Sequence, residues 1–131
     1  MRRAIDTNVL ARALADDGSK QVAVARSLVA RTDVYVPLTV LLETEWVLRT
    51  SVGLDREMIN RLFAALSGMD NVEIEHRDAA QASIILHAEG FDFADAIHMA
   101  CARECATFLT FDRKLVRQAK KRGLRPPVAL P

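Results

Sequence analysis

Four acidic side chains occupy places from which an α/β chain can put carboxylates to work. Asp6 follows Ala4 and Ile5 and opens the polar tripeptide Asp6-Thr7-Asn8, and Asp112 follows the run Phe108-Leu109-Thr110-Phe111. Each therefore ends a strand-like segment, and in an open parallel sheet the cleft lies beyond the carboxyl ends of the strands. Asp95 falls in the first turn of a helix that begins near Phe93, with Asp92 suited to the N-cap and Asp95 to the third helical position. Helix-start stabilisation alone would account for both acids. Against that, Ala94, Ala96, Ala100 and Ala102 make the helix small-sided, so it can approach the sheet closely and keep Asp95 near the strand ends. Glu43 sits in the apolar run VLLETEWVL. Glu45 has Arg49 four residues on as an ion-pair partner, whereas the residue four after Glu43 is Val47. A buried carboxylate is costly unless paired or bound to a metal, so Glu43 reads as the buried functional acid.

Asp6, Glu43, Asp95 and Asp112 thus converge on one expected cleft. Carboxylates packed together repel and shift one another's pKa values upward unless a cation neutralises them. Hard divalent ions such as Mg²⁺ favour all-oxygen donors, and Mg²⁺ takes one or two carboxylates with waters and phosphate oxygens. One or two such ions polarise a phosphate, activate a water and stabilise the leaving oxygen, which points to phosphodiester hydrolysis. Asp6 and Asp95 are expected to lead the first metal site, with Glu43 and Asp112 completing it or holding a second ion. Thr7, Asn8 and Thr110 offer neutral groups at the same edge, although Thr7 and Asn8 also suit a strand-to-helix cap. His98, His76 and His87 complete no ligand set. Cys101 and Cys105 have no matching His or Cys pair and read as buried thiols. Trp46 reads as core or interface. Neither GxxxxGK[ST] nor GxGxxG occurs, which removes the usual nucleotide loops.

The elements that must carry these residues follow from periodicity and punctuation. Residues 3–6 form a first strand leading into a helix through Val9 and Leu10, and 20–31 form an amphipathic helix. Val34–Val36 is a strand closed by Pro37, and Thr39 is the expected N-cap of a helix over 40–51 ending near Gly53. A helix over 56–67 stops at Gly68, and 72–74 is a strand. Asp78 is expected to cap a helix over 79–89 closed by Gly90. After the helix from Phe93, residues 106–112 form a strand, 113–122 a helix ended by Gly123, and 128–130 a short edge strand. Strands alternating with helices of this length predict one three-layer α/β domain over 1–131 with a central, mostly parallel sheet.

Charge is unevenly spread. Of 18 Lys and Arg, seven lie in residues 113–125, where there is no acid, leaving 11 against 17 Asp and Glu elsewhere. An acidic body with a basic edge can bind a polyanion there while gathering cations elsewhere; a solvated helix with cations near its C-terminus is the simpler account. Two cysteines cannot make a disulfide framework, the first residues lack the apolar run of a secretion signal, and no window spans a membrane. A cytoplasmic setting is expected.

The segments AIDTNVLARAL, PLTVLLETEWVLR, FDFADAIHMACA and FLTFDR, in that order, resemble a PIN-domain nuclease, specifically the VapC-type toxin ribonucleases of toxin–antitoxin pairs. The resemblance spans almost the whole chain and implies a three-layer α/β/α PIN-like fold. It places the acidic quartet on Asp6, Glu43, Asp95 and Asp112, with the accompanying Asn and Thr on Asn8 and Thr110. It further implies a Mg²⁺- or Mn²⁺-dependent endoribonuclease, commonly a homodimer. A cognate antitoxin would inhibit it and, through its own DNA-binding domain, connect it to operator DNA. On that reading Arg113, Lys114 and Arg117 guide RNA, or the antitoxin's acidic residues, to the cleft. Three other readings stand beside it. A metal-dependent phosphatase would usually carry a second acid two residues after its nucleophile, where this chain has Asn8. A DNase would use the same metal chemistry, and a non-catalytic metal- and partner-binding domain would show no turnover.

Overall fold

The computed structural model describes residues 1–131. Its strands are short and parallel: β1 (Arg3–Ala4), β2 (Val34–Val36) and β3 (Val72–Ile74) form one ladder, and β4 (Phe108–Leu109) and β5 (Val128–Ala129) a second. Between them run α1 (Thr7–Leu14), α2 (Gln21–Arg31), α3 (Leu38–Val47), α4 (Arg56–Ser67), α5 (Arg77–Ala88), α6 (Phe93–Cys101) and α7 (Arg113–Arg122). The architecture is the expected three-layer α/β/α arrangement around a mostly parallel central sheet.

Aspartates set most of the helix starts. The Oδ1 atoms of Asp6, Asp55, Asp92 and Asp112 accept hydrogen bonds from the backbone N–H of Val9, Met58, Asp95 and Leu115, at 3.1, 2.8, 3.0 and 3.1 Å. Each satisfies an orphan donor of the first turn and places negative charge at the positive end of the helix dipole. The first strand is consequently shorter than 3–6, because Asp6 is already a cap. The strand over 106–112 likewise contracts to Phe108–Leu109, with Thr110 and Asp112 forming the turn into α7.

Four other local expectations are corrected. Thr39 does not cap α3. The helix starts at Leu38 behind Pro37, and the backbone N–H of Leu38 donates to Glu75 Oε1 at 3.0 Å, a cap supplied from beyond β3. The same helix leaves α-geometry after Val47 and finishes in a π-helical turn, Leu48–Val52, ended by Gly53 at φ +82°. Asp78 lies inside the first turn of α5, while His76, at φ 50°, holds the N-cap position. Arg77 enters that turn by donating to the carbonyls of Ser67 (2.9 Å) and Val72 (2.8 Å). Cys101 and Cys105 are exposed, because α6 ends at Cys101 and its buried side is made by Phe93, Ala96, Ile97 and Met99.

Apolar residues collect in two cores. The larger joins Ile5, just past β1, and strands β2 and β3 to α1–α4 around Leu10, Leu41, Ile59 and Phe63; the smaller joins α5, α6 and α7 through Leu86, Met99, Leu115 and Ala119. Helix α6 serves both, with Phe93 and Ile97 in the first and Ala96 and Met99 in the second. Its N-terminus, carrying Asp92 and Asp95, therefore lies where the two cores meet.

Candidate active-site cleft

A cleft of about 250 Å³ opens between the N-termini of α6 and α7 and the inner side of α3, with Asp92, Asp95 and Asp112 in its walls. Asp95 is half-buried, and its carboxyl is held above the ordinary carboxylate range, first by burial and then by the negative charges of Asp92 and Asp112. His98, one turn on, works in the opposite direction. Two of the four expected acids, Asp95 and Asp112, thus share one space with Asp92, whose position in the sequence predicts a cap. Asp92 is that cap and also a wall of the cleft.

Glu43 lies in the adjoining groove, of about 480 Å³, whose walls include Asp92, Glu45 and Arg49 in common with the first cleft. Its expected burial is not found. Glu43 is exposed, and the buried acid of α3 is Glu45, at 3% exposure. The inward side of α3 runs Leu38, Leu41, Thr44, Glu45 and Leu48, so the 3.6-residue period turns Glu45 inside and Glu43 toward the groove. Nor is Glu43 without a partner, since the Thr7 hydroxyl donates to its Oε1 and joins the start of α1 to α3. Asp6, the residue before Thr7, is exposed, spends Oδ1 on the α1 cap, and lines neither cleft. Asn8 is exposed on the first turn of α1. The Thr110 hydroxyl accepts from the backbone N–H of Asp112 at 3.0 Å and so fixes the turn that presents that acid.

Beneath the acids lies a polar floor that the sequence reading missed. Arg49 Nε donates to Glu45 Oε2 at 2.9 Å, as the i,i+4 spacing predicted. His87, 2% exposed, pairs through Nδ1 with Asn60 Oδ1 at 2.7 Å, while its Nε2 lies 3.9 Å from Glu45 Oε2. Burial and the Arg56 charge hold the His87 pKa below its usual value, and the imidazole is neutral at pH 7. Arg56 donates to the carbonyls of His87 (2.6 Å) and Phe91 (2.7 Å) and ties α4 to the loop before α6. Only the Glu45–Arg49 pair carried a local signal; the other contacts join residues 27 or more apart. Of the basic residues singled out, Lys114 lines the cleft, with Gln118 one turn later, while Arg113 and Arg117 are exposed on α7. Trp46 is not core: it is 55% exposed and lines the groove beside Glu43.

The donor set suits a hard divalent cation in kind, since the carboxyl groups of Asp92, Asp95 and Asp112 line one polar cleft, where burial and then the two neighbouring charges raise the pKa of Asp95. No three His, Cys, Asp or Glu side chains are gathered closely enough to hold an ion among themselves. Mg²⁺ ordinarily needs only one or two carboxylates and completes its shell with water, so the residues fit such an ion.

No curated protein and no solved structure matches the chain significantly. The family model of the PIN domain matches residues 4–121, which reach from β1 to the last turn of α7 and include every acid described above. The chain belongs to the PIN domain family.

Proposed function

We propose that residues 1–131 act as one nuclease domain, a Mg²⁺- or Mn²⁺-dependent endoribonuclease serving as the toxin of a toxin–antitoxin pair. The observation that carries the reading is that Asp92, Asp95 and Asp112 line one cleft of a PIN-family chain. Asp95 and Asp112 would hold the cation, with Asp6 and Glu43, at the neighbouring α1–α3 junction, reaching it through water or helping to hold a second ion. When bound, the ion supplies the positive charge that polarises a phosphate and lowers the cost of forming the nucleophile and the leaving oxygen.

The chain's own groups do the rest. Asp6 and Asp112 each use one carboxylate oxygen on a helix cap, which fixes the side chain and leaves the other oxygen for the site. Thr7 orients Glu43 through its hydroxyl, and Thr110 orients Asp112 through the backbone. Asn8, two residues after Asp6 on the first turn of α1, would orient a phosphate or a water. Lys114 draws an RNA phosphate into the cleft, with Arg113 and Arg117 extending the attraction along α7. A cognate antitoxin that covers this cleft, a homodimeric assembly, and operator contact made only through the antitoxin complete the proposal.

Total cellular RNA incubated with purified protein in Mg²⁺, Mn²⁺ or EDTA tests it. Discrete internal cuts that need the metal, with fragment ends mapped to one sequence context, are expected. Cutting that persists in EDTA contradicts the mechanism.

A further inference from the structure

Away from the acidic cleft, the outer side of α5 carries an apolar strip that no element of the chain covers. Ile85 is 57% exposed and stands in the walls of two grooves, one on each side of the helix. The first, of about 610 Å³, lies between α4 and α5, where Asn60 and Ala64 face Ile84 and Ala88. The second, of about 290 Å³, lies between α5 and the C-terminal ends of α6 and α7, with Ala82, Leu86, Met99 and Leu124 in its walls. Arginines surround the strip. Arg56 and Arg61 line the first groove and Arg103, Arg122 and Arg125 the second, and Glu57 is the single acid in the two walls. Three of the five meet a carboxylate: Arg61 meets Glu57 at 2.8 Å, Arg103 meets Asp78 at 4.0 Å, and Arg122 meets Glu89. Those pairs are solvent-exposed, so little stability is lost when a guanidinium turns to another carboxylate. Arg56 is bound to two carbonyls, and Arg125 forms no ion pair. Five guanidiniums against three carboxylates leave this face positive.

We infer that the outer side of α5 is a docking surface for an acidic amphipathic helix of another protein, which seats aliphatic side chains around Ile85 and carboxylates against the arginines. The inference is independent of the nuclease reading. Ala82, Ile85 and Ala88 recur every three residues along α5, so they form one stripe of the kind against which a second helix packs through its own i, i+3, i+4 and i+7 positions. A large exposed aliphatic side chain rimmed by charge marks an interaction site, and arginine is enriched in such sites because its planar fork meets a carboxylate through two hydrogen bonds. The sign of the rim selects an acidic partner. Single-stranded RNA is a poorer occupant, since neither wall holds an aromatic ring on which a base could stack and the centre of the strip is aliphatic. A second copy is poorer as well, because a twofold contact of this face with itself sets arginine against arginine.

The probe is a fluorescein-labelled synthetic peptide of about 18 residues, long enough to hold a helix, with Leu at helical spacing and Glu and Ala elsewhere. Its anisotropy is followed on titration with the full-length protein. Saturable binding is expected. A peptide of the same composition with the apolar stripe scrambled, and one with Lys in place of every Glu, each bind at least about 10-fold more weakly. Ile85→Glu places an acid at the centre of the strip and weakens binding of the first peptide at least about 10-fold. Arg125→Glu weakens it several-fold and reduces its dependence on salt. Both side chains are exposed, and thermal melts confirm that the variants fold; if Ile85→Glu does not, Arg125→Glu and Ile85→Ala carry the test. Absence of saturable binding by the wild type overturns the inference, as does equal binding of the scrambled peptide or equal binding by the folded variants. An oligouridylate that displaces the peptide overturns it in favour of a polyanion surface. Self-association of the protein alone, seen by sedimentation and abolished by Ile85→Glu, overturns it in favour of a second copy.

Discussion

Burial and the charges of Asp92 and Asp112 act together on Asp95, and the consequence for stability has a definite sign. Between the ordinary carboxyl value of 3.8 and the raised one, the folded chain keeps a proton that the unfolded chain has lost. Stability therefore falls as pH rises through that window and stays lower above it. Asp95→Asn removes this cost, so its melting temperature at pH 7 exceeds that of the wild type, with the gap closing toward pH 4, while RNA cleavage drops about 100-fold or more. Melts at the two pH values, beside a cleavage assay, check both halves. His87 gives the opposite slope. Its folded pKa lies below 6.5, so the stability it permits is complete above that value and declines as pH falls through the window beneath it. The groups around it are Asn60, Glu45, Arg49, Arg56, Asp92 and the edge-on ring of Phe93. His87→Gln is expected to flatten the acid side of a melting-temperature profile between pH 7 and 5. At this scale the acids themselves were legible in the sequence, but their burial was not. Glu43 and Glu45 exchange places because the spacing of Leu38, Leu41 and Leu48, rather than the general apolarity of the run, decides which side of α3 faces inward.

Helix α7 shows how one residue can serve both an element and a site. Asp112 caps it, the Thr110 hydroxyl accepts from the Asp112 backbone, and the carboxylate faces the cleft. Replacement by Ser keeps a capping oxygen and removes the charge, whereas Ala removes both. Asp112→Ala is expected to lose about 1 kcal/mol of stability and Asp112→Ser much less, while both lose cleavage. Urea unfolding with parallel activity measurements separates the two roles. The bounds of α7, the strands at 34–36 and 72–74, and the start of α6 were readable because the signals are local: an aspartate at the cap, a glycine at the stop, and apolar residues at fixed spacing. The start of α3 was not readable, since its capping carboxylate is Glu75, 37 residues away. The π-helical turn and the left-handed His76 likewise carry no sequence pattern that distinguishes them from ordinary helix and loop.

On the scale of the molecule, the three-layer plan followed from the alternation of short strands with helices, and the PIN-family match covers the same span. The division into two cores was hidden, because it depends on which side of α5 and α6 each apolar residue occupies after the chain has folded. Arg56 helps hold the region where those cores meet by bonding two carbonyls near the start of α6. Charged hydrogen bonds of this type are worth about 1.5–3 kcal/mol each, less where water reaches them, so Arg56→Ala is expected to cost about 2–3 kcal/mol in urea unfolding. The uneven charge seen in the sequence also acquires a geometry, with Lys114 of the basic segment in the wall of the acidic cleft. The proposed chemistry requires this cleft to bind a divalent cation through Asp95 and its neighbours. Calorimetric titration of Mn²⁺ into wild-type and Asp95→Asn protein at pH 7 tests it most directly. Saturable binding to the wild type, weakened at least about 10-fold in the variant, is the predicted result. Equal binding by the two proteins, or none by the wild type, would contradict it.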